Sequence, residues 1–114
     1  MDNNWRIILC DFGTSLITNP LSGKTLQKSE FVGTADYLSP ELINDSCICF
    51  ASDLWALGCT IYQMFHKATP FKGLSDFLTM KNIKERLPIQ FAQIPPQATQ
   101  LIRELLQYDP YQRP

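Results

Sequence analysis

Leu54-Trp55-Ala56-Leu57-Gly58-Cys59-Thr60-Ile61-Tyr62-Gln63-Met64 decides the fold class. Its apolar residues fall on nearly every side of a helical wheel, and a helix apolar all round is a buried one. Ser52-Asp53 supplies an opening cap, and Thr69-Pro70 ends the helix. Working outward, Ser75 or Asp76 caps a second helix running to about Leu87. Pro95-Pro96 begins a third, with Ala98, Leu101, Ile102, Leu105 and Leu106 at helical spacing, closing near Asp109-Pro110. Upstream, Ser39-Pro40-Glu41-Leu42 reads as a short helix start, with Pro at the first helical position and an acid in the first turn. Asn44-Asp45-Ser46 interrupts it. Trp5 to Cys10 is short, apolar and β-branched, and predicts a strand. From Gly13 to about Glu30 the chain turns polar, which is loop chemistry, and a loop of that length is usually functional or disordered. The expectation is a mainly α unit with one short N-terminal strand and one long loop.

Composition narrows the function. The 114 residues suit at most one compact domain, and 45% apolar against 18% charged residues is a globular balance. Ten Lys and Arg oppose eleven Asp and Glu, so no nucleic-acid or anionic-membrane partner is expected. The longest apolar stretch, Leu54 to Phe65, is too short to span a membrane, and the polar Met1-Asp2-Asn3-Asn4 start is no signal peptide. Cys10, Cys47, Cys49 and Cys59 form no CxxC pair, and His66 has no companion at ligand spacing, so zinc is not expected. An intracellular, reducing and cytoplasmic setting is the default.

Asp11-Phe12-Gly13 directly follows the predicted strand. Alone the tripeptide is weak. In order behind it come Gly33-Thr34-Ala35-Asp36-Tyr37-Leu38-Ser39-Pro40-Glu41, then Ser52-Asp53-Leu54-Trp55-Ala56-Leu57-Gly58-Cys59, then Arg113. This order and spacing resemble the protein-kinase family from its metal-binding DFG motif to its last arginine. Ser39 stands where the family usually has alanine. Gly33-Thr34-x-x-Tyr37 is the serine/threonine-type pattern, and the segments from Phe31 and Ser52 are most similar to phosphoinositide-dependent kinases. The resemblance implies the C-terminal, helical lobe of the kinase fold. It divides into a DFG strand-loop over 5–13, an activation segment over 11–41 and a helical core over 42–114.

It also implies roles. Asp11 holds magnesium, a hard cation that prefers carboxylate oxygen, with a solvated turn aspartate as the bland alternative. Phe12 packs inward, and Gly13 permits the backbone reversal that aims Asp11. Thr34 supports catalysis by orienting the substrate hydroxyl. Gly33, Thr34, Ala35 and Tyr37 belong to the substrate-binding loop. Glu41 and Arg113 form a structural ion pair. Asp53 caps the central helix and, in the family, also holds the catalytic loop. Trp55, Gly58 and Met64 read as core. Glu30 occupies the position of the family's activating phosphate, with Ser29 an alternative phosphosite one residue away. A carboxylate imitates a phosphate only in part, and a plain exposed acid is the competing account. Cys10 would face a nucleotide pocket, although an inert thiol is the safer expectation.

The family's Gly-rich loop, strand lysine and catalytic loop all precede its DFG motif. Ten residues precede Asp11 here and none matches. ATP and Mg2+ are therefore expected for a complete domain and expected to bind this chain poorly. A protein substrate, and the missing N-terminal half as a partner, go with the same reading. Met1 would be an internal methionine and the chain a truncated active kinase. The alternative is a catalytically dead remnant, or a helical module that binds a protein partner.

Overall fold

The computed structural model describes residues 1–17, 27–28 and 33–114. The central helix is present, starting slightly before the expected point. It is preceded in the chain by β1 (Gln27–Lys28), α1 (Pro40–Asp45) and β2 (Cys47–Ile48), and it spans Phe50–His66 as α2. Helices α3 (Asp76–Lys84) and α4 (Pro96–Leu105) follow. Single 3-10 turns lie at Ala35–Tyr37 and Pro110–Gln112. The two short strands pair antiparallel, with Gln27 opposite Ile48 and Lys28 opposite Cys47. The mainly helical class is as the sequence predicts.

Local chemistry accounts for the ends. Pro40 opens α1, and Ser46 closes it in the left-handed region with φ 51°. Cys49, not Asp53, is the N-cap residue of α2: the Cys49 backbone N–H donates to Ser52 Oγ at 3.0 Å, and Asp53 lies inside the first turn. Helix α2 stops at His66 rather than at Thr69-Pro70, because Lys67 turns left-handed with φ 59°. Ser75 caps α3 by accepting from the Leu78 amide at 3.2 Å, and α3 ends at Lys84, short of Leu87. Helix α4 ends at Leu105, also earlier than expected.

The core lies between α2 and α4. Trp55, Cys59 and Tyr62 of α2 meet Phe71, Ile83, Ile94, Ile102 and Leu106. Trp55 stacks on Phe71 with centroids 5.5 Å apart and takes the edge of Tyr108 at 5.3 Å. Gly58 lets α4 approach: a Cβ there would fall 2.8 Å from Leu106 Cδ2 and 3.0 Å from Leu105 Cβ. A smaller cluster of Ala35, Leu38 and Leu42 joins the 3-10 turn to α1.

Three further expectations fail. Trp5–Cys10 forms no strand, and Trp5, Ile7, Ile8 and Leu9 are exposed. A strand requires a hydrogen-bonded neighbour, and the only ladder among the described residues is β1–β2. The backbone turns there instead, Trp5 N donating to Asp2 O at 3.1 Å. Second, α2 is buried along one stripe, Ala51, Trp55, Gly58, Cys59 and Tyr62, not all round. Leu57 and Phe65 are exposed, and Met64, expected in the core, is 71% exposed. Third, Phe12 is 67% exposed instead of packed inward.

Candidate functional site

The buried end of the site is an ion pair between residues far apart in sequence. Pro40 starts α1 and puts Glu41 on its inner face, while Arg113 follows the turn Pro110–Gln112. Arg113 Nη1 donates to Glu41 Oε1 and Nη2 to Glu41 Oε2, each at 2.9 Å, in a bidentate pair. Their side chains are 0% and 3% exposed. Burial costs a charged pair its hydration, so the remaining donors and acceptors must be satisfied. Arg113 Nη1 also donates to Ala51 O at 2.7 Å, and Nε to Gln107 O at 2.8 Å. Ser52 Oγ donates to Glu41 Oε1 at 2.7 Å. The guanidinium lies 5.2 Å from the Trp55 ring. Burial by itself pushes the Glu41 carboxyl up. The hydrogen bonds from Arg113 and Ser52, with the Arg113 charge, outweigh it and hold the group below its ordinary value.

This clamp fixes the base of the segment that begins at Gly33. Gly33 has φ 123°, a conformation open mainly to glycine. The 3-10 turn follows at once, with Tyr37 N donating to Thr34 O at 3.1 Å. Two further ties hold the turn. The Tyr37 hydroxyl donates to Gln63 Oε1 on α2 at 2.8 Å, and Lys72 Nζ bonds both Asp36 oxygens, at 3.0 and 2.7 Å.

Above the turn lies an open cleft of about 660 Å³. Gly13, Gly33, Thr34, Tyr37 and Asp53 all line it, so these predicted residues are brought together. Thr34 and Asp53 are exposed at its wall. Asp11 and Phe12 do not line it. Asp11 is an exposed carboxylate at a left-handed residue, φ 63°, while Gly13 is not in the left-handed region. The reversal expected of Gly13 is thus made at Asp11, ahead of the turn in which Ser15 N donates to Phe12 O at 3.0 Å. Glu30 and Ser29 lie outside the described residues. Among the described residues no three His, Cys, Asp or Glu side chains gather where they could hold a metal ion, and no helix is long and apolar enough to cross a membrane.

Sequence reasoning missed Ser52 as the second partner of Glu41, and missed Lys72 and Gln63 altogether. Ser52 lies in the Ser52-Asp53 pair, whose local pattern predicts only a helix start. No local signal marks Lys72, whose partner is 36 residues away.

A helical core whose final arginine pairs with a Pro-Glu helix start beneath a Gly-Thr turn defines a class: the chain belongs to the protein kinase domain family, whose model matches residues 1–114. It is similar to particular members. It is 36% identical over 123 residues to the serine/threonine-protein kinase PKH1 of Saccharomyces cerevisiae, covering 99% of this chain and 16% of that protein. It is 38% identical over 116 residues to the 3-phosphoinositide-dependent protein kinase 1 of Homo sapiens, covering 99% of this chain and 20% of that protein. With the serine/threonine-protein kinase PDK1 of Cryptococcus neoformans the identity is 36%, over all of this chain and 10% of the relative. The chain therefore spans well under a quarter of the length of these relatives.

Proposed function

We propose that this chain supplies the metal-side and substrate-side half of an ATP-dependent serine/threonine protein kinase domain, acting on protein hydroxyls inside the cell. The observation that carries the reading is the buried Glu41–Arg113 pair beneath the Gly33–Tyr37 turn. Phosphoryl transfer asks little covalent chemistry of the protein and depends on positioning and electrostatics. Transfer therefore depends on a substrate wall that keeps its shape while the acceptor peptide binds. A bidentate pair anchored to Ala51 and Gln107 carbonyls holds this wall to the helical core.

Asp11 fits one ligand position of Mg2+, a cation that keeps several waters and takes only one or two carboxylates beside substrate phosphates. Bound there, the ion would neutralise charge on the nucleotide's phosphates. The Thr34 hydroxyl, exposed in the cleft, orients the acceptor hydroxyl, and the turn beside it receives the following substrate residue. Asp53, also in the cleft, would accept backbone N–H groups of the catalytic loop in a complete domain. No residue of the cleft is assigned to take the acceptor's proton, so the 114-residue chain alone is assigned no turnover.

A chimera tests the reading. In yeast PKH1 the matched segment is replaced by this chain and the product assayed with ATP, Mg2+ and a serine/threonine peptide. Phosphoserine or phosphothreonine is expected. Asp11→Asn is expected to reduce transfer about a hundredfold or more, since several kcal/mol of charge stabilisation are at stake. A chimera that melts cooperatively and binds ATP but transfers nothing, or an Asp11→Asn variant of full activity, would refute it.

A further inference from the structure

Lys72 lies outside every motif that identifies the family, yet it is the residue that ties the substrate-side turn to the core from the α3 side. Its two neighbours are immobilised. Phe71 is buried against Trp55, and its carbonyl accepts from Asn82 Nδ2 at 3.1 Å. The Gly73 amide donates to Thr79 Oγ1 at 2.9 Å, and a Cβ on Gly73 would meet the Thr79 amide nitrogen at 2.7 Å, so this backbone is packed closely on the first turn of α3. From that fixed base the Lys72 ammonium reaches both oxygens of Asp36, the middle residue of the Ala35–Tyr37 turn. The Asp36 side chain is only 12% exposed, against 52% for Lys72. The carboxylate is thus largely screened from water. The bond to Asp36 also raises the Lys72 ammonium above its ordinary value.

We propose that Lys72 is a positioning residue for the substrate: through Asp36 it holds the turn that carries Thr34 and Tyr37, and so sets how well the acceptor peptide binds. This rests on the kinase reading above. Tyr37 is braced separately by Gln63, so losing Lys72 loosens the turn without releasing it. The expected signature is therefore in KM for the peptide rather than in kcat.

The test uses the same PKH1 chimera. Lys72→Met is expected to raise peptide KM about two- to fivefold, the range of a half-exposed ion pair, with KM for ATP and kcat little changed. Lys72→Arg should restore KM, and so should the exchanged pair Asp36→Lys with Lys72→Asp. Hydrogen exchange by mass spectrometry on the same proteins should show faster exchange over residues 33–38 in Lys72→Met and none over α4. Unchanged peptide KM, a matching fall in kcat, or failure of the arginine variant to rescue would overturn the proposal. Unchanged exchange over 33–38 overturns it even if the chimera transfers no phosphate. Loss of transfer in the unmutated chimera counts against the kinase reading alone.

Discussion

Replacing Arg113 by Met removes the clamp's cation while keeping the length of the side chain. The variant leaves Glu41 nearly inaccessible, with the Ser52 hydroxyl as its remaining side-chain partner, and strips the Gln107 carbonyl of its donor. Breaking a buried pair on one side costs about 3–5 kcal/mol, a large share of the ~5–15 kcal/mol that holds a domain together. With an m-value of about 1.5–2 kcal/mol/M, the urea midpoint should fall by about 2 M. Trp55 fluorescence reports it, because the indole is buried beside the guanidinium. The pH dependence gives a sharper check. In the parent, Glu41 is held below its ordinary value, so its contribution is present above that value and is lost as pH falls through the folded one. In Arg113→Met burial is opposed only by the Ser52 hydroxyl and by Glu41's own backbone amide. Its folded value then rises, and the penalty is largest near neutral pH and disappears as the carboxyl protonates in acid. The gap between parent and variant must therefore narrow from about pH 7 towards pH 4. Adding Glu41→Gln should recover about 1–3 kcal/mol by removing the stranded charge. A gap under about 1 kcal/mol, or one that does not change with pH, would refute the account.

Three other outcomes follow from the packing. Gly58→Ala gains about 1 kcal/mol of helix propensity, but its Cβ meets Leu106 Cδ2 at 2.8 Å and the unyielding Leu105 Cβ at 3.0 Å. Overpacking of about 1–3 kcal/mol should win, giving a net loss in thermal melts. Ser39→Ala should be neutral or stabilising by up to about 1 kcal/mol. The Ser39 hydroxyl is buried without a partner among the described residues and makes no cap bond to α1, so nothing is lost with it. Burial, with the Asp36 charge, pushes the Cys59 thiol up to about 12. At about pH 8 roughly one such thiol in ten thousand is ionised. Iodoacetamide mapping by mass spectrometry should find exposed Cys10 modified well before Cys59, which reacts only on unfolding.

Helix positions were legible where the chain itself supplies the signal. Pro40, Ser75 and Pro95-Pro96 mark starts that the backbone uses. Ends were less legible, because Lys67 closes α2 by adopting a left-handed conformation that no glycine announces. The clamp was legible only through resemblance: Glu41 and Arg113 are 72 residues apart, and no periodicity links them. Their carbonyl and hydroxyl partners depend on where α2 and the last turn come to rest, which no motif states. The apolar pattern of α2 was read as burial on every side. Hydropathy reports what a side chain tolerates, however, and burial depends on what packs against it. Among the described residues, nothing covers Met64.

The same distinction separates the two halves of the candidate site. Thr34 and Tyr37 belong to a turn held at Gln63, at Lys72 and, through Glu41, at Arg113. Each of these ties is a hydrogen bond to an element packed on the Trp55 core, so the geometry of that wall is built from this chain's own residues. Among the described residues Asp11 and Phe12 have no comparable anchor: Phe12 is exposed, and the backbone tie there is the single Ser15–Phe12 turn. Positioning is worth most in catalysis where it is rigid. In the proposed kinase role, the wall would therefore discriminate among acceptor peptides through contacts already in place. In the same proposed role, the aim of the Asp11 carboxylate would be set by groups packed against the exposed Phe12. Substitutions in the wall should accordingly act on peptide KM, and substitutions that alter the packing of Phe12 should act on ATP and Mg2+ dependence.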